Sequence, residues 1–169
     1  MPAGVALRPA TAADRPFLAR LFRSVRWDEL APTGWPDQAK IDFLASQFDL
    51  QQRHYRLAFP EADFDVIERE GRAIGRLTLD RTTPDLYLVE ISLLPEWRGR
   101  GVGGALIGLL QAEVRSGRAA RIVLNVEGAN SGAQRLYQRL GFAKSPPTSP
   151  YPGLSIEMTW SASADPAIS

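Results

Sequence analysis

The chain has 169 residues, 44% of them hydrophobic and 23% charged, which favours one globular domain with a sizeable core. Lys and Arg number 20 and Asp and Glu 19, a net charge of +1 that excludes a general basic field for nucleic acid. The absence of cysteine excludes disulfides, thiolate metal sites and a cysteine nucleophile, and a single histidine excludes a multi-histidine centre, so no metal is expected. No apolar run reaches membrane-spanning length and the opening MPAGVALRPA lacks a signal-peptide core, so the expectation is a cytoplasmic protein without membrane or nucleic-acid partners.

In chain order, residues 5–8 predict a short strand. Thr11 then stands as an N-cap, with Asp14 in the capping-box position. Phe17, Leu18, Leu21, Phe22 and Val25 give a helical stripe ending near Val25. Residues 26–36, RWDELAPTGWP, form a loop broken by Pro32, Gly34 and Pro36, and it holds Trp27, Asp28, Glu29 and Trp35. A second helix is expected over residues 37–57, with an apolar stripe of Ile41, Leu44, Phe48 and Tyr55 and with His54 on another face. A lone histidine on such a helix is more often a surface group than a base.

Strands follow at residues 64–69 and 73–80, joined by a Glu70-Gly71-Arg72 turn. Residues 86–94 are short, nearly all apolar and closed by Pro95, which predicts a strand buried on both faces. Val102, Ala105, Leu106, Leu109, Leu110 and Val114 mark a helix, with Gly117 as its C-cap. Residues 121–126 form another buried strand. Asn130 or Ser131 caps a short helix that ends at Gly141. Residues 142–144, a proline-rich loop at 145–152, and a last strand over 154–160 complete a single domain at 1–160, with 161–169 as a flexible tail. Hairpin-linked strands followed by helix-linked strands predict an α/β (α+β) protein with a mixed, mostly antiparallel central sheet and helices on both faces.

The segment joining the buried strand to the next helix carries the chemistry. Arg98, Gly99, Arg100, Gly101, Val102, Gly103 and Gly104 form a glycine-rich turn that opens a helix. The first N–H groups of a helix lack intrahelical partners and sit at the positive end of its dipole. Glycine permits positive φ and a close backbone approach, so the expected guest is a phosphate or pyrophosphate. The turn lacks the Gly-Lys-Ser/Thr ending of a Walker A loop. Gly99, Gly101 and Gly104 match G-x-G-x-x-G, with Glu127 near the place of a ribose-binding acid. However, residues 95–98 separate these glycines from their strand. Arg98, Gly101 and Gly103 also match R-x-x-G-x-G.

With its Pro95-Glu96-Trp97-Arg98 lead-in, that loop resembles the acyl-CoA pyrophosphate loop of the GNAT superfamily of N-acetyltransferases. One strand downstream, NSGAQRLYQRLGF resembles the second GNAT signature at Asn130, Ala133, Leu136, Tyr137, Leu140, Gly141 and Phe142. The resemblance is detailed over residues 86–142 and topological before that. It implies the acyl-CoA N-acyltransferase fold, in which two parallel strands splay apart, and acetyl transfer from acetyl-CoA to an amine by direct attack. It further implies that pantetheine pairs with strand backbone, placing Ser92, Leu93, Leu94 and Asn125 with the loop among the cofactor-binding residues.

Asn130 is a pantetheine contact or a plain N-cap. Tyr137, seven residues on and on nearly the same helical face, is assigned as the acid that protonates the leaving thiolate; the alternative is a core tyrosine. Glu90, a carboxylate in an apolar strand, is a general base or a cross-strand partner of Arg76 or another arginine. Trp27, Asp28, Glu29 and Trp35 are expected to receive the acceptor, a small-molecule or peptide amine. A homodimer is the assembly the resemblance allows. Two other functions stand beside the enzyme: a non-catalytic acetyl-CoA-binding regulatory module, and a dinucleotide-dependent oxidoreductase using G-x-G-x-x-G.

Overall fold

A computed structural model describes residues 1–146 and 155–164. Most of the proline-rich loop and the end of the tail therefore lie outside the described residues. Among the described residues seven strands form a sheet in the order β1-β2-β3-β4-β5-β7-β6. They are β1 (Val5–Pro9), β2 (Asp63–Arg69), β3 (Arg72–Asp80), β4 (Leu86–Leu93), β5 (Ile122–Glu127), β6 (Ala143–Lys144) and β7 (Ser155–Trp160). Strands β4 and β5 run parallel, whereas β1–β2, β5–β7 and β6–β7 are antiparallel. The mixed, mostly antiparallel sheet expected from the sequence is thus present. The chain divides into two compact units, Met1–Thr78 with Glu90–Gly103, and Leu79–Val89 with Gly104–Ser169.

The first unit carries helices α1 (Arg15–Arg26) and α2 (Asp37–Ala58), joined by a 3₁₀ turn over Trp27–Thr33 where the sequence pointed only to a loop. Leu18, Phe22, Leu44 and Phe48 bury their side chains together, with the Phe22 and Phe48 rings 5.8 Å apart. Each such side chain contributes about 1.5–3 kcal/mol of burial. At Gly75 of β3 a Cβ would lie 2.3 Å from the Ser92 carbonyl oxygen, so only glycine lets β4 come this close.

The end of β1 is tied to the start of α1. Arg8 donates from both terminal nitrogens to Asp14, at 2.8 and 2.7 Å, and from Nε to Glu68 at 2.6 Å. Asp14 also accepts from the Thr11 N–H at 2.7 Å, which is the reach-back expected of a capping box. The hydrogen bonds from Arg8, then that from Thr11, hold the Asp14 carboxyl well below the usual carboxylate range. Asp14→Asn should therefore cost about 2 kcal/mol at neutral pH, a figure kept modest because the Arg8 side chain is 38% exposed. A depressed folded pKa stabilises above the unfolded value of about 4 and loses that contribution as pH falls towards the folded one. Urea melts should show the wild-type advantage at pH 7 and its shrinkage below about pH 4. A gap that stays constant with pH would rule out the carboxylate as its source.

The second unit contains most of α3 (Val102–Arg115) and all of α4 (Ser131–Arg139). Leu106, Ile107, Leu110, Ile122, Leu124 and Met158 form its buried interior. Gln111 donates to the Leu140 carbonyl at 2.8 Å and fixes the end of α4 to α3. Gly141 has φ of 92°, which ends α4 as the sequence predicts. Pairing of β4 with β5 covers Leu86↔Ile122, Tyr87↔Val123 and Leu88↔Leu124, while the strands themselves run on to Leu93 and Glu127.

Candidate active site

After β4 a 3₁₀ turn at Pro95–Trp97 leads into the glycine-rich segment, and α3 begins at Val102. Gly99 and Gly101 have φ of 69° and 81°, the left-handed region that L side chains rarely adopt. A Cβ built at Gly99, Gly101, Gly103 or Gly104 meets nothing within 4 Å. The backbone here is open, and the N–H groups of Val102, Gly103 and Gly104 belong to the first turn of the helix. Such a cradle fits a pyrophosphate, because it offers donors, positive dipole and room for close approach.

The two loop arginines have definite positions. Arg98 donates from Nε to the Leu93 carbonyl at 3.0 Å, tying the loop to the end of β4. Arg100 stacks on the Trp97 ring at 5.1 Å, and Arg69 of β2 stacks on the same ring at 5.4 Å. No local pattern marks this stacking, because Arg69 is distant along the chain.

On β4, Ser92 and Leu93 are half-buried and Leu94, just beyond, is 8% exposed with its N–H bonded to the Ile74 carbonyl at 2.9 Å. Glu90 accepts from the Ser92 hydroxyl at 3.4 Å. Its other oxygen lies 3.4 Å from Arg76 Nε and is buried without a hydrogen bond, so the pair is held by charge rather than by hydrogen-bond geometry. Arg76 is 4% exposed and donates to Gln52 of α2 at 3.0 Å. The cross-strand partner considered from the sequence, Arg76, is the one observed. Nothing local in the sequence marks Gln52 for this contact.

In the second unit, Asn125 donates from its amide to the Tyr87 hydroxyl at 2.6 Å. Asn130 accepts the Ala133 N–H at 3.0 Å and caps α4, one of its two sequence readings. Tyr137 is 9% exposed, its ring 5.6 Å from Phe142. Burial raises its pKa above the ordinary 10, so the hydroxyl keeps its proton throughout the neutral range.

The four residues expected to meet an acceptor are spread out. A cavity of about 510 Å³ between α1, the 3₁₀ turn and α2 is lined by Glu29 but not by Trp27, Asp28 or Trp35. Trp27 packs against the α1–α2 core with Lys40 over its ring at 5.2 Å, and Asp28 is exposed. Trp35 is 42% exposed and meets Phe43, itself a cavity residue, edge-on at 5.4 Å. His54 also lines this cavity. Among the described residues no group of three or more His, Cys, Asp or Glu could hold a metal, and no helix is long and apolar enough to cross a membrane.

Comparison with known proteins bears on this geometry. The model of the acetyltransferase (GNAT) family matches residues 23–142. A mycothiol acetyltransferase of Thermobispora bispora is 33% identical over 105 residues, covering 57% of this chain and 35% of that protein, so the match spans little more than a third of its length. An uncharacterized N-acetyltransferase of Mycobacterium bovis is 30% identical over 127 residues, covering 68% of this chain and 81% of that protein. The structure of PaiA N-acetyltransferase from Thermoplasma acidophilum, solved in complex with coenzyme A, has a TM-score of 0.65 at 16% identity over 93% of this chain and 98% of that one. An acetyltransferase from Thermus thermophilus has a TM-score of 0.66 at 21% identity over 92% and 96%. The fold is theirs, and the family match extends over both signature segments and the turn between α1 and α2: the chain is a member of the acetyltransferase (GNAT) family.

Proposed function

We propose that the chain transfers the acetyl group of acetyl-CoA to a primary amine by direct attack. The observation that carries this reading is the open glycine turn, with Gly99 and Gly101 at positive φ and no neighbour filling the Cβ positions of Gly103 and Gly104, at the start of α3. Acetyl-CoA would supply an activated acyl group as a thioester. The backbone N–H groups from Arg98 to Gly104 would bind its pyrophosphate, while Ser92, Leu93, Leu94 and Asn125 offer strand backbone to pantetheine. Asn130 has its side-chain oxygen engaged at the α4 N-terminus, so its amide NH₂ is the group proposed for pantetheine.

The chemistry balances with two groups of this chain. The amine nitrogen forms its bond to the acetyl carbon, and the C–S bond breaks. Glu90, directly or through water, takes the ammonium proton before attack, and Tyr137 gives its hydroxyl proton to the departing sulfur and regains one from the nitrogen as it becomes an amide, so one proton leaves through Glu90 to solvent. Arg76 supplies the charge that keeps the Glu90 carboxylate compensated in its half-buried position. Glu90→Gln should lower kcat/KM roughly 10²-fold and alter its pH profile, with acetyl-CoA affinity retained. An unchanged profile in a folded variant would confine Glu90 to pairing with Arg76.

Calorimetric titration with CoA and with NAD tests the donor. Saturable CoA binding with no NAD heat is the expected result. NAD binding without CoA binding would instead establish the dinucleotide reading of Gly99, Gly101 and Gly104.

A further inference from the structure

Helix α2 is apolar on two faces. The inner face carries Leu44 and Phe48, buried against α1. The outer face carries Phe43, Leu50 and Leu57, which are 38%, 52% and 83% exposed. These three recur at a heptad interval, so they form one stripe about 21 Å long. A row of large apolar side chains in water marks an interaction surface, whereas scattered ones do not. Phe43 and Leu50 also line the cavity of about 510 Å³ with Phe22 and Leu30, so the stripe has an apolar recess beside it.

The charges beside the stripe decide what covers it. At about 100° per residue, Asp42, Asp49, Arg53 and Arg56 all fall on one flank of it. The acidic pair lies in the first half of the flank and the basic pair in the second. Among the described residues neither Asp42 nor Arg56 has an ion-pair partner: Asp42 accepts from the Gln38 amide at 2.9 Å, and Arg56 lies over the Phe64 ring at 5.6 Å. Such a flank is complementary to itself when reversed. A second α2, laid antiparallel about Leu50, sets Asp42 beside the partner's Arg56 and Arg56 beside the partner's Asp42. Asp49, nearest the two-fold axis on this flank, is compensated by Arg15 of its own chain. The same operation sets Leu50 against the partner's Leu50, and Leu57 against the partner's Phe43 and the recess beside it. Each contact occurs twice, so the arrangement closes at two copies.

We propose that the face of α2 carrying Phe43, Leu50 and Leu57 is a self-association surface, on which a second copy of this chain lays its own α2 antiparallel. The inference stands on α2 and does not depend on the acetyl-transfer reading. A contact of one helix per copy is smaller than a standard interface of about 1,600 Å², so the dimer should be reversible, with dissociation near roughly 10 µM.

Sedimentation velocity of the full chain from about 1 µM to about 200 µM should show monomer passing into dimer. Leu57→Glu, at a position already in water, should leave the fold intact and weaken association at least roughly tenfold. Arg56→Asp should weaken it as well, by setting like charges together. Asp42→Arg combined with Arg56→Asp restores both pairs with signs reversed, and should bring association back to within about threefold of wild type. A monomer at every concentration would overturn the proposal and leave the stripe to a different partner. Growth beyond the dimer, a Leu57→Glu variant that associates as wild type, or a double variant no tighter than Arg56→Asp alone would each overturn it too. The wild-type series needs no variant, so it decides even if a substitution unfolds the chain.

Discussion

Replacing Tyr137 with Phe should lower kcat by roughly 10²-fold or more and leave acetyl-CoA affinity unchanged, provided chemistry limits turnover. The substitution keeps the ring that packs 5.6 Å from Phe142 and removes only the hydroxyl. Its effect on stability should therefore be small, within about 1 kcal/mol. A thiolate is a poor leaving group when it departs unprotonated into a dry site, so a donor beside the sulfur acts on the transition state. Burial lifts the Tyr137 pKa above 10, and the sign of that shift favours an acid. The protonated form therefore persists throughout the neutral range, and activity that depends on it should fall only in alkaline solution. Stopped-flow or single-turnover kinetics separate the chemical step from product release. A Phe variant with near-wild-type kcat, where chemistry is shown to be rate-limiting, would make Tyr137 a core residue and nothing more.

Gly103→Val should abolish measurable CoA binding or weaken it by on the order of 10²-fold, the consequence of losing hydrogen bonds to a charged group at about 1.5–3 kcal/mol each. Gly101 is the less informative position. Its φ of 81° means that any side chain strains the free protein as well as the complex. Gly103 lies within α3, is not at positive φ, and its Cβ would meet nothing within 4 Å. The folded chain should accept valine there with no loss of stability, since glycine is the poorer helix former by a few tenths of a kcal/mol or more. The new methyl groups would stand where the pyrophosphate must approach the helix N-terminus. Thermal melts matching wild type, together with lost CoA binding, are the expected pair of results. Unchanged CoA affinity in the folded variant would overturn the phosphate-loop assignment.

What could be read from the sequence was local, or was carried by a motif. The glycine turn, the helix it opens and the C-cap at Gly141 follow from backbone requirements that only glycine meets. The α1 and α2 stripes were legible because Leu18, Phe22, Leu44 and Phe48 repeat at helical spacing. Asp14 was legible as half of a capping box, yet its two bonds from Arg8 were not, because that contact depends on where β1 delivers its side chain. The need for glycine at position 75 arises from the Ser92 carbonyl on a neighbouring strand, which no local pattern reveals. The same holds for the stacking of Arg69 and Arg100 on Trp97. Between α1 and α2 the sequence shows an aromatic and acidic loop, but the cavity beside it takes most of its wall from α2, and of Trp27, Asp28, Glu29 and Trp35 only Glu29 lines it. A stretch rich in Trp, Asp and Glu shows composition; which side chains turn inward is decided by packing.

The most direct measurement is an assay in which acetyl-CoA consumption and the amine product are followed together across small amines, amino acids and peptide N-termini. Acetyl transfer predicts that free CoA and N-acetylated amine appear in equal amounts with at least one acceptor, and that Tyr137→Phe slows both alike. CoA that binds while no acceptor in the panel is acetylated would contradict it and leave a non-catalytic acetyl-CoA-binding module in its place.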